Sequence, residues 1–328
     1  MAYLPLWGAY VLDKDGTLLN GTVPIPGAGA LLRELGARGT PYIVLSNTGE
    51  RGAAAVAADL GRALDVSISA ASIYTAREHM AAWLARQTTR RILVIGTPHA
   101  PWAAFDVDAP VPSDCSNVLL ALFSDGDLPD YVQTMTLLGE WVRRGATLCC
   151  TSMDDSVATV LGDGTLVRRP GPGIFASGVM ALSGRSQAAC RAFGKGSDPT
   201  LGAAVVRRLR DLGYRGGEWR IRMVGDRLDT DVQLAGDREW SACLVESGCH
   251  HIDDNHMRRL PVHTVAASVR DLLDKPRMHP LDLLRTLVGK ASQAASASMP
   301  ARRVLSCPAR LDEIAAGAQA AATVGGTA

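Results

Sequence analysis

Apolar residues fall along this chain in short unbroken blocks, separated by longer stretches with helical spacing. The blocks cover 9–12, 42–45, 92–95, 118–123, 146–150, 221–224, 242–245 and 263–266. They are continuous rather than alternating, the pattern of strands covered on both faces. Between them, 29–38, 51–64, 76–86, 128–144 and 199–212 carry apolar residues at helix intervals. This βα rhythm predicts an α/β fold built on a parallel sheet. From about 289 the pattern lapses into Ala, Ser and Gly with few large apolar residues. That composition predicts a solvated, flexible tail with one helix near 309–321.

Length and charge narrow the picture. At 328 residues the chain suggests about two domains, or one domain with a large insertion. Hydrophobic residues at 47% and charged residues at 20% supply a core and exclude a disordered chain. A net charge of +1 gives no global field to attract nucleic acid or an anionic membrane, so any anionic ligand needs a local site. Aromatics at 5% argue against a base-stacking surface. Seven cysteines, an odd number with no CxxC pair, argue against a disulfide framework or a zinc site. The first ten residues lack a basic segment followed by an apolar one, and no run approaches the ~18 apolar residues of a membrane span. The expectation is a soluble, cytoplasmic protein.

Four places carry chemistry. The block 9–12 runs straight into Asp13-Lys14-Asp15-Gly16-Thr17. Two acids two residues apart project to one side, and Lys14 between them is expected to point elsewhere. The block 42–45 ends in Ser46-Asn47-Thr48-Gly49, a hydroxyl and free N–H groups at a helix start, which can hold an anion. The block 221–224 leads into Gly225-Asp226, with Asp229 and Asp231 close behind. Three acids in six residues can bind a hard cation. Lys195 lies between glycines at the entry to a helix. Alone, each reads equally as a cap, a turn or a surface charge. Together, three of them end parallel strands, where open α/β sheets bind ligands.

In order and content these segments resemble the haloacid-dehalogenase superfamily of phosphohydrolases. Asp13-Lys14-Asp15-Gly16-Thr17 is similar to its first motif, Ser46 to the second, Lys195 to the third, and Gly225-Asp226 with Asp231 to the fourth. GDRLDTD is especially similar to the p-nitrophenylphosphatase branch, which includes phosphoglycolate, pyridoxal, nucleotide and sugar phosphatases. The resemblance runs from about Gly8 to about Leu273 and implies a Rossmann-like core with an inserted α/β cap. The separation of 149 positions from Ser46 to Lys195 leaves room for that cap. The implied division is core 1–75 and 186–288, cap 76–185 and tail 289–328. The chain departs from the branch in having Gly194-Lys195-Gly196-Ser197-Asp198-Pro199 where a GKPxP pattern is usual, and a lysine at position 14.

The resemblance implies a Mg²⁺-dependent phosphatase acting on a small phosphorylated metabolite. Asp13 is the expected nucleophile, forming an aspartyl-phosphate, and Asp15 the expected general acid and base. Asp13, the Asp15 carbonyl and Asp226 are the expected metal ligands. Asp231 is expected to orient metal-bound water, with Asp229 as the alternative. Ser46, Lys195, Gly16 and Asn47 are expected to bind the phosphoryl oxygens. Asp154 and Asp155, after the block 146–150, are expected to face the substrate's leaving group. A homodimer is compatible with the resemblance. The competing reading is a non-catalytic relative that binds a phosphorylated ligand or a partner protein. The run from His250 to His256 reads as a surface loop, and Arg207-Arg208-Leu209-Arg210 as a solvated helix face.

Overall fold

The computed structural model describes residues 7–96, 101–123, 128, 130–160, 165–256 and 259–273. The expected tail from 289, with its helix near 309–321, lies outside these residues. The chain opens with β1 (Ala9–Asp13), the small hairpin β2 (Leu19–Asn20) and β3 (Val23–Pro24), α1 (Ala28–Ala37), β4 (Tyr42–Ser46), α2 (Ala53–Leu64) and β5 (Ile73–Thr75). A second α/β segment follows: α3 (Ala76–Leu84), β6 (Arg91–Ile95), β7 (Ala103–Ala104), β8 (Val118–Leu122), α4 (Tyr131–Arg143), β9 (Thr147–Cys150), β10 (Ser156–Val160), β11 (Leu166–Pro170), α5 (Pro172–Ser183) and β12 (Arg191–Ala192). The chain then returns through α6 (Leu201–Asp211), β13 (Ile221–Gly225), α7 (Gln233–Asp237), β14 (Ser241–Val245) and β15 (Thr264–Ala266).

The first and last parts share one parallel sheet, ordered β15-β14-β13-β1-β4-β5. Side chains alternate along β1. Tyr10 and Leu12 pack with Leu31, Leu35, Val56 and Leu60 of α1 and α2, while Ala9 and Val11 pack with Val205 and Leu209 of α6. Both faces are therefore covered, which is why the strands read as unbroken apolar blocks. In α1 the buried residues Ala28, Leu31, Leu32 and Leu35 keep helical spacing.

The second segment builds its own parallel sheet, ordered β12-β9-β8-β6-β7. On one face α4 and α5 pack Leu138, Trp141, Phe175 and Val179 against Leu120, Leu122 and Leu148. On the other, Met80 and Leu84 of α3 meet Val94, Leu119 and Phe193. This sheet continues through β12, past the expected boundary at 185. Arg191-Ala192 has no apolar run to announce a strand and is held by pairing with Cys149 and Cys150 of β9. β10 and β11 pair as a separate antiparallel hairpin. Among the described residues no helix is long and apolar enough to cross a membrane.

Candidate active site

Asp13 is the last residue of β1 and Ser46 the last of its neighbour β4. Asp226 follows β13 on the other side of β1. Three adjacent strands thus deliver a carboxylate, a hydroxyl and a second carboxylate to one sheet edge, where parallel α/β sheets present their ligand crevice. Lys195 arrives from the loop between β12 and α6, and Asp231 from the π-helical turn Leu228–Val232 that leads into α7. All five side chains are buried.

Carboxylate oxygens of Asp13, Asp226 and Asp231 lie within 4.8 Å of one another. Lys195 Nζ contacts Asp13 Oδ1 and stands 2.7 Å from Asp231 Oδ1. Burial opposes a charge on Lys195, but the two acids overcome it and hold its pKa above the ordinary lysine value. Asp231 is pushed up to about 7 by burial, against the pull of Lys195. Its Oδ2 accepts the Arg227 N–H at 3.1 Å. Asp226 is raised well above the usual carboxylate range by burial, and further by Asp13 and Asp231.

Asp226 tests whether a cation fits here. Its Oδ2 accepts the Cys249 N–H at 2.7 Å. Its Oδ1 is buried and has no hydrogen-bond partner among the described residues. A buried, unpaired carboxylate oxygen is costly, and one ammonium does not balance three carboxylates. Oxygen donors converging on a small space suit a hard divalent cation such as Mg²⁺. The residues present fit that group.

The loop after β1 wraps this acid. Gly16 has φ of 81° and donates its N–H to the Leu19 carbonyl at 2.7 Å. A Cβ at Gly16 would collide with the Asp226 carboxylate, and so would one at Gly248. Ser247 Oγ donates to the Gly16 carbonyl at 2.8 Å, tying the loop after β14 to the loop after β1. Thr17 is fully buried, and its hydroxyl has no partner among the described residues.

Asp15 keeps 41% of its side chain exposed. Lys14 does not point away as its place between two acids suggested. The loop has already left the strand, alternation lapses, and Lys14 Nζ folds back to 2.9 Å from Asp15 Oδ1. Burial still raises the Asp15 pKa, with Lys14 opposing and Asp13 adding to the rise. Ser46 Oγ accepts the Thr48 N–H at 3.3 Å. Asp229 forms a two-point pair with Arg227, Nε–Oδ1 3.1 Å and Nη2–Oδ2 3.2 Å, so it is engaged away from Lys195.

The two acids after β9 part company. Asp154 Oδ2 accepts from Asn47 Nδ2 at 3.0 Å, whereas Asp155 is exposed and accepts from Ser156 Oγ at 3.2 Å. Asn47, expected to offer its backbone N–H, also uses its side chain, whose Oδ1 accepts the Lys195 N–H at 2.8 Å. Sequence reasoning missed the Ser247-Gly248-Cys249 turn, because it cradles Asp226 with backbone and small side chains that carry no acid or base signal. It also missed His250, whose Nδ1 accepts the Leu228 N–H at 2.9 Å and ties the polar run after β14 to the turn holding Asp231.

A family model described as haloacid dehalogenase-like hydrolase matches residues 10–107, and one described as HAD-hydrolase-like matches residues 194–272. The first match runs from β1 through β7 and the second from the loop carrying Lys195 through β15, and together they contain every core acid described above. Together the two models mark the chain as a hydrolase. The chain belongs to the haloacid dehalogenase-like hydrolases. It is 24% identical to an acid sugar phosphatase of Staphylococcus aureus over 254 residues, 77% of this chain and 92% of the relative. Among solved structures, NagD from Escherichia coli K-12 aligns with a TM-score of 0.64 at 22% identity, covering 81% of this chain and 98% of its own. A glycerol phosphate phosphatase from Mycobacterium tuberculosis, solved with magnesium, aligns at 0.65 and 22%, covering 82% and 77%. A 4-nitrophenylphosphatase from Thermotoga maritima aligns at 0.65 and 23%, covering 82% and 97%.

Proposed function

We propose that this chain is a Mg²⁺-dependent phosphatase that hydrolyses a small-molecule phosphomonoester through an aspartyl-phosphate on Asp13. The observation that carries this reading is the buried Asp13 at a strand end, met by Lys195, with Ser46 ending the neighbouring strand and the unpaired Asp226 oxygen in the same acid cluster. Asp13 attacks phosphorus, and the ester oxygen leaves with a proton from Asp15. Asp15 then accepts a proton from water, which attacks the aspartyl-phosphate and releases phosphate. Lys195 and Ser46 hold the phosphoryl oxygens, with the Asn47 N–H in support; the Gly16 N–H, expected to join them, is engaged by the Leu19 carbonyl. Asp13, the Asp15 carbonyl and Asp226 would hold Mg²⁺, which offsets repulsion between phosphate and carboxylate. Asp231 acts from behind by bracing Lys195. The upward shift of the Asp15 pKa, caused mainly by burial, is in the direction that favours an acid catalyst.

The second α/β segment, as a cap, favours a small substrate, because loop 151–155 reaches the site through Asn47. The names of the relatives put phosphorylated sugars and glycerol phosphate first among substrates to try. The test is turnover of p-nitrophenyl phosphate with Mg²⁺ and with EDTA, followed by a panel of sugar phosphates, glycerol phosphate, nucleotides, phosphoglycolate and pyridoxal phosphate. Turnover that persists in EDTA with no bound metal contradicts the metal role. No turnover of any member contradicts the phosphatase reading for this chain.

A further inference from the structure

One side-chain amide joins three segments that lie far apart in sequence. Asn47 Oδ1 accepts the Lys195 backbone N–H at 2.8 Å, while Nδ2 donates to Asp154 Oδ2 at 3.0 Å. The partners force this orientation of the amide, since a backbone N–H can only donate and an ionised carboxylate can only accept. The end of β4, the loop after β9 and the loop carrying Lys195 therefore share one planar, rigid group. Close packing surrounds it. A Cβ at Gly49 would collide with the Phe123 carbonyl and Thr151 Oγ1, and one at Gly194 would meet Asn47 Oδ1, Ser152 Cβ and the Thr151 carbonyl. Two glycines thus let the loops after β8 and β9 seat directly on the core. Arg227, paired with Asp229, lies close enough to Asp154 for that carboxylate to favour its charge. The Asp154 carbonyl accepts the Gly173 N–H at 2.9 Å, fixing the loop to the start of α5.

We propose that Asp154 is a positioning residue that couples seating of loop 151–155 on the core to placement of Lys195. When the loop seats, Asp154 fixes the Asn47 amide. The amide fixes the Lys195 backbone, and the ammonium then stands against Asp13 and Asp231. When the loop lifts, Nδ2 loses its acceptor and the amide is free to rotate toward water. Lys195 N–H then loses its fixed partner. Asp154 acts through Asn47 and Lys195, not by touching the substrate. This inference rests on the phosphatase reading above for its kinetic consequence, but not for its structural one.

The distinction is measurable, because a residue that reads the substrate acts on some substrates and a latch acts on all. The full chain is compared with Asp154→Ala, Asp154→Asn, Asn47→Ala and the double variant Asn47→Ala/Asp154→Ala. Turnover is measured on p-nitrophenyl phosphate and on glycerol phosphate. Hydrogen exchange is measured, without substrate, on the peptide containing the Lys195 amide. Asp154→Ala should lower kcat on both substrates by the same factor, on the order of tenfold, with KM nearly unchanged. Asp154→Asn keeps an oxygen acceptor and should recover most of that loss. In the Asn47→Ala background, Asp154→Ala should cost nothing more. The Lys195 amide should exchange faster in Asp154→Ala but not in Asp154→Asn. A loss confined to one substrate, an undiminished loss in the Asn47→Ala background, or unchanged exchange at Lys195 overturns the proposal. If the wild type turns over no member of the substrate panel, the phosphatase reading fails while the exchange comparison still decides whether Asp154 holds Lys195.

Discussion

Lys195 Nζ stands 2.7 Å from Asp231 Oδ1, and the same ammonium contacts Asp13, so one buried cation is shared by two buried acids. Lys195→Met keeps the length of the side chain and removes the charge. The two carboxylates would then lie together uncompensated, beside Asp226. Removing one partner of a buried pair costs about 3–5 kcal/mol. A marked drop in the urea midpoint is expected, together with loss of p-nitrophenyl phosphate turnover. Unchanged stability would show that Lys195 does not neutralise these acids.

Asp13→Asn separates the nucleophile from the scaffold. The amide is nearly isosteric and a poor nucleophile, and it can still accept a hydrogen bond from Lys195. Turnover should fall to background while the circular dichroism spectrum stays that of the wild type. Wild-type turnover in the purified variant would remove Asp13 from the mechanism.

Much of this site was legible because its acids sit where apolar blocks stop. Asp13, Ser46 and Asp226 could each be placed at a strand end, since each block is long enough to register. Lys195 was placed only by its order in the chain. Its neighbour β12 has two residues, Arg191 and Ala192, and no apolar pattern. β5 was missed because it has three residues and follows directly on the short 3-10 helix Ala70–Ser72. Lys14 was misread because strand alternation was extended one residue into a loop. The contacts of Asn47 and the turn at Gly248 were invisible for a different reason. They depend on segments that are distant in sequence and meet only after both sheets have formed.

The metal reading makes a prediction about stability as well as activity. Asp226 and Asp231 both have raised folded pKa values, Asp231 to about 7, against roughly 3.9 in an unfolded chain. A carboxylate raised in the folded state binds its proton more tightly there. In metal-free protein its contribution is therefore favourable at low pH and is lost as pH rises from about 4 toward the folded values. Asp226→Asn removes one such charge. At pH 7.5 without metal the variant should melt above the wild type, and the gap should close toward pH 5. Mg²⁺ should raise the wild-type melting temperature at pH 7.5 and leave the variant almost unmoved. A metal-free wild type that melts above the variant at pH 7.5 would mean that Asp226 is not held in a repulsive cluster.

Lys14 offers a test of Asp15 as the acid. Its ammonium lies 2.9 Å from Asp15 Oδ1 and opposes the rise that burial imposes on the carboxyl. Removing a neighbouring cation disfavours the carboxylate, so Lys14→Leu should raise the Asp15 pKa further. Protonated Asp15 supplies the leaving-group proton, and its deprotonation sets the alkaline limb of kcat/KM. That limb should move to higher pH in Lys14→Leu. The pair is partly exposed, and such pairs contribute at most about 1 kcal/mol, so the shift should be below about one pH unit. The measurement needs an alkyl phosphate such as glycerol phosphate, whose leaving oxygen depends on a proton. p-Nitrophenyl phosphate, with a good leaving group, should show a smaller shift. An alkaline limb that stays in place with glycerol phosphate would assign it to a group other than Asp15. A limb that moves to lower pH would contradict the effect assigned to Lys14 on Asp15.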